Sequence, residues 1–204
     1  MGLFSEKRII NDERRDILCT CIVLRNGNIK ISDDTYEYIG GWSSQERNGI
    51  GKEIYKKKGL SSRKDWVQDM VYEGEWKNDM RHGKGKILWE NGDTYEGEWK
   101  NDEPCGKGKL TSPNGDVCEG YFENDIPRGK VKVTYNNGDT YEGEVGECGG
   151  YFGQGTLIQE GVVYQGQWTD CENATKVTCT RPNGKVEKGD VIDGVFIPYS
   201  GTKA

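Results

Sequence analysis

The sequence predicts an all-β protein: a single-layer, twisted antiparallel sheet of stacked β-hairpins, an open-ended, solenoid-like array. Three observations carry this. A unit of 23 residues recurs from Tyr72 through Tyr95, Cys118, Tyr141 and Tyr164 to Glu187, and a fixed period in this range marks stacked supersecondary units. Within the unit, two short strand-like runs alternate with turn residues. The 204-residue composition, 33% apolar and 30% charged with 30 glycines, suits a thin sheet with one packed and one wet face better than a thick core.

The first clean unit, residues 72–94, reads YEGEWKNDMRHGKGKILWENGDT. Residues 72–76 and 84–89 are its two strands. The polar stretch 77–83, ending in Gly83, connects them, and Asn91-Gly92-Asp93 turns the chain into the next unit. Alternation places Tyr72, Gly74 and Trp76 on one face, with Gly85, Ile87 and Trp89 joining them from the second strand. Glu73, Glu75, Lys84 and Lys86 face the other way as a ladder of opposite charges, worth about 0.2–1 kcal/mol per cross-strand pair. Glycine weakens a strand, so its recurrence needs a reason: Gly74 leaves room for the flanking rings to lie flat across the sheet.

The unit from Tyr95 is nearly a copy. That from Cys118 has Val131 where the second-strand glycine belongs. In that from Tyr141, Gly153-Gln154-Gly155 slides one residue later. The one from Tyr164 has Thr175 and Val177 in place of the glycines, and the one from Glu187 is a remnant. An earlier unit, Tyr38 to Trp42 with Gly49-Ile50-Gly51, precedes a basic insert near 52–66. The expected organisation is therefore a tail and capping hairpin over 1–35, about six units over 36–186, and a degenerate unit with a cap over 187–204. Residues 1–16 read as a short helix or a loose tail.

The YxGxW and GxG motifs at this spacing resemble those of the MORN (membrane occupation and recognition nexus) repeat family, over roughly residues 36–186. The resemblance implies curved β-hairpin arrays serving as scaffolds and adaptors. Some members of the family act at phosphoinositide membranes or with cytoskeletal partners, some carry the repeats ahead of a catalytic domain, and some dimerise through terminal repeats.

A net charge of −6 argues against nucleic acid as a partner. No run of apolar residues reaches membrane-span length, and the N-terminus lacks the apolar stretch of a secretory signal. It departs from the myristoylation pattern at Glu6. Seven cysteines without an export signal read as reduced thiols of a cytoplasmic protein. Cys148 and Cys171 hold the same slot in consecutive units, roughly 10 Å apart by two strand spacings, too far for a disulfide. Cys19 and Cys21 have no second pair to complete a zinc site and read as part of a short strand.

No catalytic, metal or cofactor site emerges. Glu73 and Glu75 lie about 7 Å apart on one face of a strand, but the pair recurs as Glu96 with Glu98 and Glu142 with Glu144, facing lysines. His82 is the only histidine, and Gly83-Lys84-Gly85-Lys86 lacks the completion of a phosphate loop. The expectation is a non-enzymatic scaffold or adaptor that binds a protein partner through an aromatic groove, with Tyr72, Trp76, Trp89, Tyr95, Trp99, Tyr135 and Tyr141 as candidates, or through its degenerate terminal repeats. About a third of these rings are expected to be accessible. The alternatives are tethering to a phosphoinositide or other anionic membrane surface through a flexible basic insert (Lys52, Lys56, Lys57, Lys58, Arg63, Lys64) and a role as regulatory subunit of an enzyme complex. The expected location is cytoplasmic, with cytoskeletal or membrane association left open. The open edge at the C-terminal units also admits a homodimer.

Overall fold

The computed structural model describes residues 8–11, 18–24, 26–33, 35–58, 66–147 and 149–199, and among them every regular element is a β-strand. The chain divides into two compact units, Met1–Glu103 and Pro104–Ala204.

The first unit contains β1 (Arg8–Asn11), β2 (Leu18–Val23), β3 (Ile29–Ser32), β4 (Tyr36–Ser43), β5 (Glu46–Lys58), β6 (Trp66–Lys77), β7 (Met80–Leu88) and β8 (Thr94–Lys100). Each pairs antiparallel with its neighbour in sequence. The second contains β9 (Glu103–Thr111), of which all but the first residue lies in that unit, β10 (Val117–Glu123), β11 (Ile126–Thr134), β12 (Thr140–Val145), β13 (Tyr151–Gln159), β14 (Val162–Trp168), β15 (Ala174–Thr180), β16 (Val186–Ile192) and β17 (Val195–Pro198), again paired in order. The expected antiparallel array of hairpins is thus present in both.

The hairpin turn differs from the sequence reading. The polar stretch 77–83 is not a loop, because β7 already begins at Met80 and only Asn78-Asp79 turns. Both have positive φ, 51° and 61°, the signature of the two-residue turn that matches strand twist. Asn101-Asp102 and Asn124-Asp125 repeat it. The glycine that seemed to end a loop forms a bulge instead: Gly74 faces Gly85, but Glu75 faces His82, so Gly83 and Lys84 are extra. Gly83 sits at φ 57°, and the Glu75 carboxylate accepts the Lys84 N–H at 2.8 Å.

The bulge explains the Tyr-x-Gly phrase. The Tyr72 ring lies over Gly74 and Gly85, and its hydroxyl donates to the Glu75 carbonyl at 2.9 Å. A Cβ on Gly85 would stand 2.6 Å from ring carbons of Tyr72. Tyr38, Tyr95 and Tyr141 make the same i-to-i+3 bond, to Gly41, Glu98 and Glu144. Where Cys118 replaces the tyrosine, the freed volume is filled by Val131, which is 3% exposed in place of the second glycine. This accounts physically for the missing glycine of that repeat.

Neighbouring hairpins are latched through aspartates at their turns. The Arg47 N–H donates to the Asp79 carboxylate at 2.7 Å, while the Asp79 N–H donates to the Arg47 carbonyl. Arg81 and Asp102 repeat the exchange. At the opposite strand ends, the N–H groups of Asn136 and Glu160 donate to Asp116 and Asp139.

Two further expectations change. Of the charged N-terminal stretch, residues 8–11 form β1, paired with β2, not a helix or tail. The basic insert is not a flexible loop over its described part: residues 52–58 belong to β5, and residues 56–58 pair with residues 66–68 of β6. The predicted capping hairpin is β2–β3, and Cys19 and Cys21 lie on β2. At the other end, β16 and β17 form a last hairpin. Cys148 and residues 1–7 and 200–204 lie outside the described residues.

Candidate aromatic groove

The aromatic row of the first unit is closed. Tyr72, Trp76, Tyr95 and Trp99 are 0–3% exposed, with Tyr72 edge-on to both Trp76 and Trp99 at centroid distances of 5.1 and 5.2 Å. They form the core, so their reading as groove contacts is corrected. The cause is a feature absent from the strand pattern. Arg47 and Arg81 stand opposite Trp42 and Trp76 on their hairpins and lay their guanidinium groups over a tyrosine of their own hairpin and the tryptophan of the next. Arg47 lies 4.1 Å from the Trp76 ring, and Arg81 lies 5.3 Å from Tyr72 and 5.7 Å from Trp99.

Between the two arginines sits Glu53, only 2% exposed, contacting Arg47 at 2.6 Å and Arg81 at 3.1 Å. The Tyr36 hydroxyl donates to the same carboxylate at 3.1 Å. Burial, followed by the Glu53 charge, pushes the Tyr36 phenol well above its ordinary range. Burial works against the Arg47 charge, yet Tyr36, Glu53 and Asp79 outweigh it and hold its pKa above the usual arginine value. The row is thus covered by the chain's own cations, with their counter-ion enclosed.

In the second unit, the slot opposite the Trp position carries Pro127, Tyr151 and Ala174 instead of arginine. Tyr151 stacks on Tyr141 at 3.6 Å and meets Trp168 edge-on at 5.5 Å, while Ala174 leaves only a methyl group opposite Trp168. Val177 occupies the space over Gly166 where a tyrosine ring would lie, and Tyr164 is partly exposed. A groove of ≈ 370 Å³ results. Tyr135, Tyr151, Tyr164 and Trp168 line it, together with Leu157 and Val191. Asn137, Asp139 and Gln159 stand at one set of strand ends, and Cys171 and Glu172 at the other. None of the lining side chains is basic. The Tyr135 and Tyr151 hydroxyls are hydrogen-bonded to each other, and burial raises the pKa of both phenols.

Of the seven ring candidates, then, Tyr135 lines this groove, Trp89 is partly exposed in the turn after β7, and Tyr141 is buried beneath Tyr151. Tyr164 was missed, as were Tyr151 and Trp168, which border the groove while only 6% and 1% exposed. The signal available for them was the loss of the Gly-x-Gly in the unit from Tyr164. Among the basic candidates, Lys52 pairs with Glu73 at 3.6 Å and Lys56 with Glu37 at 3.6 Å. The side chains of Lys57 and Lys58, and all of Arg63 and Lys64, lie outside the described residues. The charge ladder recurs as Lys86–Glu96 and Lys109–Glu119, at 3.6 and 3.8 Å. Among the described residues no cluster of His, Cys, Asp and Glu fits a metal ion, and no helix is long and apolar enough to cross a membrane.

The family model described as MORN repeat matches residues 38–59, 72–94, 95–117 and 118–140. No curated protein matches the chain. Similar solved structures include the TCP domain of SAS-4 from Drosophila melanogaster in complex with a proline-rich motif of Ana2. The match has 14% identity and a TM-score of 0.48, over 83% of this chain and 88% of that one. The TCP10c domain of Drosophila melanogaster Sas-4 matches at 12% identity and a TM-score of 0.45, over 86% and 99%. The TCP10 domain of Danio rerio CPAP in complex with a peptide of STIL matches at 12% and 0.43, over 91% and 84%.

Proposed function

From the premise that this chain is a MORN-repeat protein, we propose that it is a non-catalytic scaffold that holds a protein partner across the aromatic groove of its second unit. The observation that carries this is the groove itself, a ≈ 370 Å³ cleft with the partly exposed rings of Tyr135 and Tyr164 on its lining and the buried Tyr151 and Trp168 beneath, whereas the row of the first unit is covered by the chain's own arginines. Rigid aromatics flanked by a few polar groups are the usual anchors of protein recognition. The polar groups that converge here are three tyrosine hydroxyls, two amides, two carboxylates and the Cys171 thiol. They offer hydrogen bonds to a peptide but no sheltered nucleophile-and-base pair for chemistry. Tethering to an anionic membrane draws less support, because Lys52 and Lys56 already face carboxylates.

The test is affinity capture from the native cell with the wild-type chain, Tyr164→Ala and Trp89→Ala, with thermal melts confirming the fold of each. The groove reading expects partners kept by Trp89→Ala and lost by Tyr164→Ala. An identical set of partners from all three chains would overturn it.

A further inference from the structure

Resting on the scaffold reading, we propose that the groove of the second unit accepts an arginine side chain from an extended segment of the partner. The first unit supplies the template. There, the equivalent ring surface is covered by guanidinium groups at 4.1–5.7 Å from ring centroids, held by Glu53 and, for Arg47, also by Asp79. The second unit keeps an aromatic row, and carboxylates at other positions stand at the strand ends of its groove, but none of the lining side chains is a cation. Tyr151 and Ala174 stand where Arg47 and Arg81 stand in the first unit, and the lining holds Asp139 and Glu172 with no lysine or arginine. A planar cation therefore finds the partly exposed rings of Tyr135 and Tyr164 for its plane and a carboxylate of the lining for its edge.

The positions of the polar groups select an extended backbone. Asp139, Asn137 and Gln159 stand at one set of strand ends and Glu172 at the other, with Tyr151, Tyr164 and Trp168 between them. A segment crossing the groove passes from one acidic end to the other. Glu172 is well placed to meet a guanidinium, since it is exposed while its backbone is fixed: its N–H donates to Asp170, and its carbonyl accepts from the Gly194 N–H. The overall charge of −6 adds long-range attraction for a basic segment.

The test titrates the whole chain with three fluorescein-labelled Gly/Ser dodecapeptides that differ at two positions, which carry arginine, citrulline or glutamate. Citrulline preserves the shape of arginine without its charge. The arginine peptide is expected to bind, the citrulline peptide on the order of tenfold more weakly, and the glutamate peptide not at all. Glu172→Lys and Tyr164→Ala should each weaken the arginine peptide by about tenfold or more, with unchanged thermal melts. Glu172 is exposed, so this arm survives if Tyr164→Ala fails to fold. Equal binding of arginine and citrulline peptides, still dependent on Tyr164, would sink the cation proposal and leave the groove reading standing. Absence of arginine-peptide binding up to millimolar concentration would also overturn it, and the capture experiment would then judge the groove separately.

Discussion

Tyr72 lies across Gly85 so closely that a single added carbon would meet its ring at 2.6 Å. Gly85→Ala is therefore expected to lower stability by about 1–3 kcal/mol, read as a lower urea midpoint at unchanged slope. The repeat from Cys118 indicates the remedy, since Val131 there fills the space that a smaller residue vacates. Tyr72→Cys combined with Gly85→Val should cost clearly less than the two single changes added together. Simple additivity would show that the pair does not share one volume.

Glu53 answers for two guanidinium groups while almost fully buried. Glu53→Ala should cost about 3 kcal/mol or more, because it removes the buried carboxylate that Arg47 and Arg81 share and leaves Arg47 with Asp79 alone. Replacing Glu53, Arg47 and Arg81 together by Met and Leu should recover much of that loss. Urea unfolding of the single and triple variants checks both statements.

The packed tyrosines make the fold sensitive to alkali. Burial pushes the Tyr141 phenol up to about 12, and those of Tyr38 and Tyr72 are raised too. An unfolded tyrosine ionises near pH ~10. The neutral phenol is the form the fold prefers, so this stability is complete below about pH 10 and is lost as pH rises toward the folded values. Urea midpoints at pH 8, 10 and 11 should fall across that window. Tyr141→Phe should be less stable than wild type by about 1 kcal/mol at pH 8, from its lost bond to the Glu144 carbonyl, yet decline less steeply with pH.

Cysteine reactivity should report on the groove. Cys171 is exposed on its lining, whereas Cys179 is fully buried and burial raises its thiol pKa. Under native conditions, N-ethylmaleimide should modify Cys171 at least about tenfold faster than Cys179, as resolved by peptide mass mapping. Comparable rates would mean that the sheet around Cys179 opens readily.

The hairpin array was legible because a 23-residue period needs no tertiary information. The turn was harder. Asn78-Asp79 is a less familiar signal than Asn-Gly, and Gly83 at the end of a polar stretch reads as the close of a loop until the bulge is seen. The closure of the first aromatic row was not legible, since alternation along a strand assigns Arg47 and Arg81 to a face but does not reveal that they fold back over rings of the next hairpin. The groove was half legible. Val177 announces a lost glycine, but its consequence for the ring of Tyr164 is a matter of volume in three dimensions.

The aspartate latches have an evolutionary consequence. Arg81 with Asp102, Asn136 with Asp116 and Glu160 with Asp139 each join a hairpin only to the one beside it. A hairpin with its trailing turn is thus a cassette that copying can multiply and drift can edit. The extra turn residue in the unit from Tyr141 is such an edit, absorbed before the next unit begins. Specialisation can therefore proceed one cassette at a time, the arginine slot of one hairpin becoming Tyr151 or Ala174 while its neighbours go on serving as architecture.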